Sequence, residues 1–223
     1  MLKKKIVCII PVKTKSSRLK KKNFLKLNSI PLYLHAIKKA IKSKCFQKII
    51  VSSDNINLKK ICNNYGVEFH HRKKFVDRKS GISLATHNVI EELELKDRYD
   101  VVVQMMATCP LRTTQNIRSS LINFFKKKNS FQISVYDCSW IKNDFLFYKN
   151  GKSTELLKNK ILRNKKCLYP SGVIWIANIK NFFNQKTFYG KNFSLFELPW
   201  YNSIDIDYKN DLDNVKYLSR LIN

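Results

Sequence analysis

Short runs rich in Ile and Val alternate along this chain with stretches of helical periodicity, and that alternation restricts the fold more than any other feature. Residues 6–11, 48–52, 67–70, 100–105 and 132–135 read as strands. Between them, residues 31–42 carry Leu32, Ala36, Ile37 and Ala40 on one apolar stripe, and 56–65, 84–95 and 116–127 also read as helices. Gly66 supplies the stop for the second of these. Consecutive strands separated by helices need crossover connections. The pattern therefore predicts an α/β fold, a mostly parallel twisted sheet with helices on both faces and right-handed crossovers. From Asp137 to Leu168 the rhythm breaks, and 138–168 is expected to form an insertion beyond the main sheet. Strand-like runs return at 172–177 and 203–207, and 212–221 reads as a final helix. A length of 223 residues suits one such domain, 1–223, and no second.

No apolar run is long enough to span a membrane. Lysines 3–5 ahead of an apolar run imitate a leader peptide, but the run has only the length of a strand, contains Pro11 and ends at Lys13. It reads as a first strand, and the protein as cytoplasmic. None of the six cysteines forms a CxxC pair, which argues against zinc and for buried thiols, as at Cys8 and Cys62. Net charge is +27, from 43 basic and 16 acidic residues. That balance suits a polyanionic partner. The lysines, however, are scattered over helices and loops and accompany an excess of Asn and Ile, so a general compositional bias is the preferred reading and no specific nucleic-acid recognition is expected.

Two places carry chemistry. In an open α/β sheet, ligands sit beyond the carboxyl ends of the strands. The first such turn, residues 11–23, brings hydroxyls and many cations together, as a triphosphate requires, although lysine runs in loops are also commonly just solvated. It has no glycine and is not a P-loop. The second place is Ile204-Asp205-Ile206-Asp207. In an extended segment, residues two apart share a face, so both carboxylates project together while the isoleucines face the core. Mg²⁺ held by one or two carboxylates and substrate phosphates fits that pair; solvated strand-end aspartates are the alternative. Asp211 reads as a helix-start acid. Asp54 is either ligand-facing at a strand end or the N-cap of the next helix. His70 and His71 have no partner at a recognisable catalytic spacing.

Ser16-x-Arg18-x-x-x-Lys22-Asn23, after a strand ending in Ile-Pro, resembles the opening motif of the acylneuraminate (CMP-sialic acid) cytidylyltransferases. Further stretches are similar to that family in the same order. They are 43–54, the turn Thr108-Cys109-Pro110-Leu111-Arg112, the run Pro170-Ser171-Gly172-Val173-Ile174-Trp175-Ile176, and Ser203-Ile204-Asp205-Ile206-Asp207 with Asp211-Leu212. The chain departs from the pattern at Lys13, where the family has Arg, at Ser17, at Cys109 and at Met106, where the family has Gln. Gln104, two residues earlier on the same strand face, is a candidate substitute.

The resemblance implies a Rossmann-like nucleotidyltransferase fold with a small dimerisation insertion, 138–168 here, and a homodimer. It implies transfer of CMP from CTP to the anomeric hydroxyl of an acidic nine-carbon sugar. Lys13, Ser16, Arg18 and Lys22 would hold phosphates, and Asn23 and Arg72 the nucleoside. Gln104, Arg112 and Ser171 would lie on the acceptor side, although Arg112 could equally tie down its own turn. Asp205 and Asp207 would hold Mg²⁺, with Lys22 and Asp207 catalytic. An eight-carbon ulosonate enzyme is the nearest rival; Lys22-Asn23-Phe24 lacks that family's Lys-Pro-Leu. A non-catalytic relative that binds a nucleotide sugar or RNA is the rival of another class.

Overall fold

The computed structural model describes residues 4–73, 81–139, 144–149, 152–158 and 166–221. Strand β1 (Ile6–Val12) is buried along its whole length. After a single-turn helix at Lys22–Phe24, a short hairpin, β2 (Lys26–Leu27) and β3 (Ile30–Pro31), leads into α1 (Leu32–Ser43). Then follow β4 (Lys48–Ser53), α2 (Leu58–Asn64), β5 (Glu68–His71), α3 (Gly81–Glu92), β6 (Val101–Gln104), α4 (Thr114–Lys127) and β7 (Phe131–Asp137). Strands β8 (Asp144–Lys149) and β9 (Lys152–Lys158) precede β10 (Leu168–Asn178), α5 (Ile179–Gln185), β11 (Ser194–Glu197) and α6 (Lys209–Leu221). Gly66 ends α2 with φ of +64°, a conformation in which a Cβ would be strained.

Seven strands form one sheet in the order β11-β7-β10-β6-β1-β4-β5. Pairing is parallel from β6 through β1 and β4 to β5. Strand β10 runs antiparallel to both β6 and β7, and β11 runs parallel to β7. Alternation along β1 assigns its residues to two cores. Ile6, Cys8, Ile10 and Val12 pack on one face with α1, α2 and α4 residues such as Ile37, Leu58 and Ile117. Val7 and Ile9 pack on the other with Val89 and Ile90 of α3 and Phe182 of α5. Cys8 and Cys62 are buried, as expected of these patterns. Among the described residues, no helix is long and apolar enough to cross a membrane.

The break in rhythm after β7 corresponds to a separate two-stranded sheet, β8 paired antiparallel with β9, off the seven-stranded one. Residues 140–143, 150–151 and 159–165 of the expected 138–168 insertion lie outside the described residues. One expectation needs correction. Residues 203–207 form no strand; the bond from the Ile206 N–H to the Thr108 carbonyl (3.0 Å) docks them against the turn after β6 without a ladder. The strand on that side of the chain is instead β11, four residues at the sheet edge.

Candidate active site

Parallel pairing brings the carboxyl ends of β1, β4, β5 and β6 to one edge of the sheet, and the first turn crosses that edge. Its path is fixed from within. The Asn23 amide donates to the Lys13 carbonyl (2.8 Å), and Asp54, at the end of β4, accepts from the N–H (2.8 Å) and the hydroxyl (3.0 Å) of Thr14. Asp54 therefore secures the first turn; the N-cap position of α2 is held by Asn57. Arg72, just past β5, is buried and donates to the Val12 carbonyl (3.2 Å). Burial pulls its pKa down, and nearby Asp54 opposes that shift.

A cavity of about 270 Å³ opens between this turn and α3, lined by Lys13, Ser16, Arg18, Lys22, Asn23 and Arg72 among others, with Asp205 and Asp207 at one end. Six of the residues expected to contact nucleotide thus share one cavity. Gly81, Ile82 and Ala85 of α3, together with Thr108, complete its wall. Of the α3 residues, only Ala85 lies within the helix expected over 84–95, and Gly81 and Ile82 gave no sequence signal; Thr108 opens the Thr-Cys-Pro-Leu-Arg turn that did.

The acidic pair closes the cavity. Ile204 and Ile206 pack into a satellite core with Leu27, Leu32, Leu212 and Val215. That anchoring turns Asp205 and Asp207 to the cavity side, as alternation requires even without a strand. Asp207 accepts from Lys22 Nζ (2.6 Å) and pairs with Arg18 Nη2 (2.6 Å); Lys22 also donates to the Ile206 carbonyl (3.0 Å). The Arg18 guanidinium lies over the Tyr208 ring at 5.5 Å. Asp211 opens α6 and its Oδ2 accepts from the N–H groups of Asp207 (2.9 Å) and Tyr208 (2.7 Å).

Asp205 is half-buried with its Oδ1 enclosed, and desolvation pushes its carboxyl above the ordinary aspartate value. Lys22, Thr108 and Arg18 oppose the shift and Asp207 adds to it. Its Oδ1, the Ser16 hydroxyl and the Thr108 hydroxyl are buried without a hydrogen-bond partner. A buried, unpartnered carboxylate oxygen costs stability unless a ligand satisfies it. An unpartnered oxygen on Asp205 beside the Asp207 carboxylate fits Mg²⁺, a hard cation that one or two carboxylates would hold together with phosphate oxygens.

A second cavity, about 710 Å³, meets the first at the same carboxylates. Tyr136, Tyr169, Trp175, Tyr189, Trp200 and Tyr208 supply its rings. Strand β10 opens here because its register against β7 shifts between Pro170 and Trp175. The Ser134 hydroxyl satisfies that irregularity, donating to the Ser171 carbonyl (2.9 Å) and accepting from the Ser171 hydroxyl (3.1 Å) and the Ile174 N–H (3.1 Å). Ser171, expected on the acceptor side, lines this second cavity.

Gln104 and Arg112 line neither cavity, against expectation. Gln104 is buried against α3, where its Oε1 accepts from the Thr86 hydroxyl (2.6 Å). Strand β6 ends at Gln104, so the chain turns before alternation can bring that side chain to the site; Met106 lines both cavities instead. Arg112 is 1% exposed and is spent on main chain, donating to the carbonyls of Val173 (2.6 Å), Met106 (2.7 Å) and Gly172 (3.4 Å). It ties the turn after β6 to β10 beneath the site.

The chain matches the cytidylyltransferase family over residues 7–211. It is similar to a pseudaminic acid cytidylyltransferase of Campylobacter jejuni, 24% identical over 97% of each chain. It is also similar to an N-acylneuraminate cytidylyltransferase of Escherichia coli, 26% identical over 95% of this chain and 51% of that protein, so it spans about half that relative's length. Among solved structures, the fold resembles a 4-diphosphocytidyl-2C-methyl-D-erythritol synthase (TM-score 0.74, 10% identity, 98% of this chain and 100% of that one). It also resembles a CMP:2-keto-3-deoxy-manno-octonic acid synthetase complexed with CTP (TM-score 0.69, 13% identity, 97% and 99%). At such identities the structural likeness speaks to fold alone.

Proposed function

This chain belongs to the cytidylyltransferase family, and on that premise we propose that it transfers CMP from CTP to the anomeric hydroxyl of a nonulosonic acid with the help of Mg²⁺. The observation that carries the reading is the meeting of a cationic and an aromatic cavity at Asp205 and Asp207, one of which keeps a buried carboxylate oxygen unpartnered. The names of the two bacterial relatives support a nine-carbon acidic acceptor.

CTP occupies the cationic cavity. Lys13, Arg18 and Lys22 offset phosphate charge, Ser16 donates its hydroxyl, and Asn23 and Arg72 stand on the nucleoside side. The acceptor occupies the aromatic cavity, where ring faces cover its apolar carbons and Arg18 faces its carboxylate. The anomeric oxygen attacks the α-phosphorus, the bond to the β-phosphate oxygen breaks, and pyrophosphate leaves. The hydroxyl proton departs toward the carboxylate pair. Asp205 and Asp207 would hold Mg²⁺, which would supply charge neutralisation at the phosphates. Lys22, fixed by Asp207 and the Ile206 carbonyl, places its charge beside the same reacting centre.

Pyrophosphate release tests the reading. It is expected only with CTP, Mg²⁺ and one of sialic, legionaminic or pseudaminic acid together. Release with an eight-carbon ulosonate alone corrects the acceptor, and no release with any ulosonate sinks the enzyme reading in favour of a binding protein. The proposal includes a homodimer formed through 138–168, whose β8–β9 hairpin stands off the main sheet. A mass of 26.3 kDa in sedimentation at micromolar concentration, that of one chain, refutes it.

A further inference from the structure

Where β7 ends and β10 begins, at the root of the segment that carries β8 and β9, two cysteines face each other. Leu168 is paired with Asp137, and one step further out the Cys138 N–H donates to the Cys167 carbonyl (2.9 Å), so the two cysteines lie directly opposite. The Cys138 thiol donates to the same carbonyl (3.3 Å), and the Cys167 N–H donates to the Ser139 hydroxyl (3.0 Å). Opposed residues of a hydrogen-bonded antiparallel pair have Cα atoms about 5.5 Å apart, inside the roughly 4.4–6.8 Å that a disulfide spans. A period of two puts both cysteines on the face that carries Tyr136 and Tyr169. Those tyrosines are themselves opposed, with ring centroids 5.5 Å apart, and line the aromatic cavity. Of the other four cysteines, Cys8, Cys62 and Cys109 are fully enclosed, and Cys45 donates its thiol to the Ser43 carbonyl (3.3 Å).

We infer that Cys138 and Cys167 are a redox-responsive pair, which a low-molecular-weight disulfide such as oxidised glutathione converts into one intrachain bond that clamps β7 to β10 at the outer edge of the aromatic cavity. Cys167, half-buried, is the more accessible and reacts first. Its thiolate attacks one sulfur of the oxidant, forming a mixed disulfide and releasing one thiol. Cys138 then gives up its proton and its sulfur attacks Cys167 Sγ, which breaks the mixed disulfide and releases the second thiol. Two electrons pass from the protein sulfurs to the oxidant, which leaves as two thiols. The two positions differ in a way that suits this order. Cys138 is only 8% exposed, and burial raises its thiol above the ordinary cysteine value, with Cys167 and Asp137 adding to the shift. It is thereby shielded from an oxidant in solution. Its place opposite Cys167 gives it the high effective concentration that closes the bond once Cys167 is capped. The closed bond ties together the two ends of residues 139–166 and fixes the spacing of the strands that carry Tyr136 and Tyr169.

The test treats the full chain with graded mixtures of oxidised and reduced glutathione, blocks the remaining thiols and maps the peptides by mass. Wild type should lose two hydrogens per chain, with the bond joining the peptides that carry Cys138 and Cys167, and should regain them in excess reduced glutathione. Cys138→Ser should stop at a glutathione adduct on Cys167, whereas Cys167→Ser should leave Cys138 unmodified. A bond between other cysteines, a bond between two chains on a non-reducing gel, a wild type that stops at the adduct, or no reaction at all overturns the inference. The clamp is read by kinetics, and that part rests on the function proposed above. For whichever of sialic, legionaminic and pseudaminic acid turns over, oxidation should lower KM for the acid by roughly threefold, because the rim of its cavity is ordered before binding. KM for CTP should stay at its reduced value, and Cys138→Ser should show no such response. A KM for the acid that ignores the bond overturns the clamp. An enzyme that turns over no acid, reduced or oxidised, overturns the functional reading instead, and the peptide map still decides the bond.

Discussion

The two cavities that meet at Asp205 and Asp207 are built by different means. The cationic one lies on the ends of parallel strands, and its polar groups are held by main chain: Asn23 by the Lys13 carbonyl, Arg72 by the Val12 carbonyl, Lys22 by the Ile206 carbonyl. The aromatic one draws its rings from β7, β10 and the segments flanking β11, where the sheet turns antiparallel and β10 shifts register. Arg18 is its sole cationic lining residue among those described. Phosphate recognition needs charge at fixed distances and so rigid supports. A ring face tolerates many sugar shapes, and the elements carrying it can vary. One half of the site is thus suited to a constant ligand and the other to a variable one.

The largest effect should come where the halves join. Asp207→Asn should leave the melting temperature close to wild type, since the amide is nearly isosteric, but lower kcat by about 10²-fold or more. It removes the charge that pairs with Arg18 and Lys22 and that would hold Mg²⁺. KM for CTP should rise less, because Lys13, Arg18, Lys22 and Arg72 remain. Near-normal turnover in a pyrophosphate assay would place the metal elsewhere.

Arg112→Met comes next and acts on stability. It strips hydrogen bonds from the Val173, Met106 and Gly172 carbonyls, leaving buried acceptors unpaired, at a cost of about 2–3 kcal/mol. Denaturant unfolding measures it. A loss of activity without loss of stability would return Arg112 to the acceptor side.

The same contrast explains what the sequence disclosed. Strands β1, β4 and β6 and helices α1 and α4 were legible because each buries a periodic face. The cationic turn was legible because its charge and hydroxyls are contiguous, from Lys13 to Asn23. Asp205 and Asp207 were legible because buried Ile206 between them and partly buried Ile204 before them set their direction. Gln104 was misplaced because alternation ends where the strand does. Arg112 was ambiguous because a buried guanidinium and a ligand-facing one look alike until their partners are known. The aromatic wall stayed hidden because its rings are scattered from Tyr136 to Tyr208 and share no spacing. Strand β11 stayed hidden because four edge residues carry too little periodicity.

Trp200→Ala tests the aromatic half directly. Trp200 is half exposed and lines the second cavity but not the first. Its loss should raise KM for the acid by roughly tenfold, in keeping with about 1 kcal/mol for one ring contact, and leave KM for CTP unchanged. A change in both constants would mean that the two cavities are not separate in function.

The smallest effect is expected at Asp211, and it separates support from chemistry. Its Oδ2 accepts from the Asp207 and Tyr208 N–H groups at the start of α6, where a negative charge also meets the positive end of the helix dipole. Asp211→Asn keeps an oxygen able to accept both bonds and loses only the charge. It should cost about 0.3–1 kcal/mol of stability and little rate. Asp211→Ala removes the acceptor as well, freeing the main chain that aims Asp207 and Arg18's stacking partner Tyr208. Its loss of stability should be larger, about 1 kcal/mol or somewhat more as for a lost helix cap, and kcat should fall while KM for CTP stays near wild type. Raised Mg²⁺ should not restore the rate, because what is disturbed is the direction of Asp207 and not the number of carboxylates. If Asp211→Asn alone is inactive, and excess Mg²⁺ rescues it, then Asp211 is itself a ligand and the acidic pair is a triad.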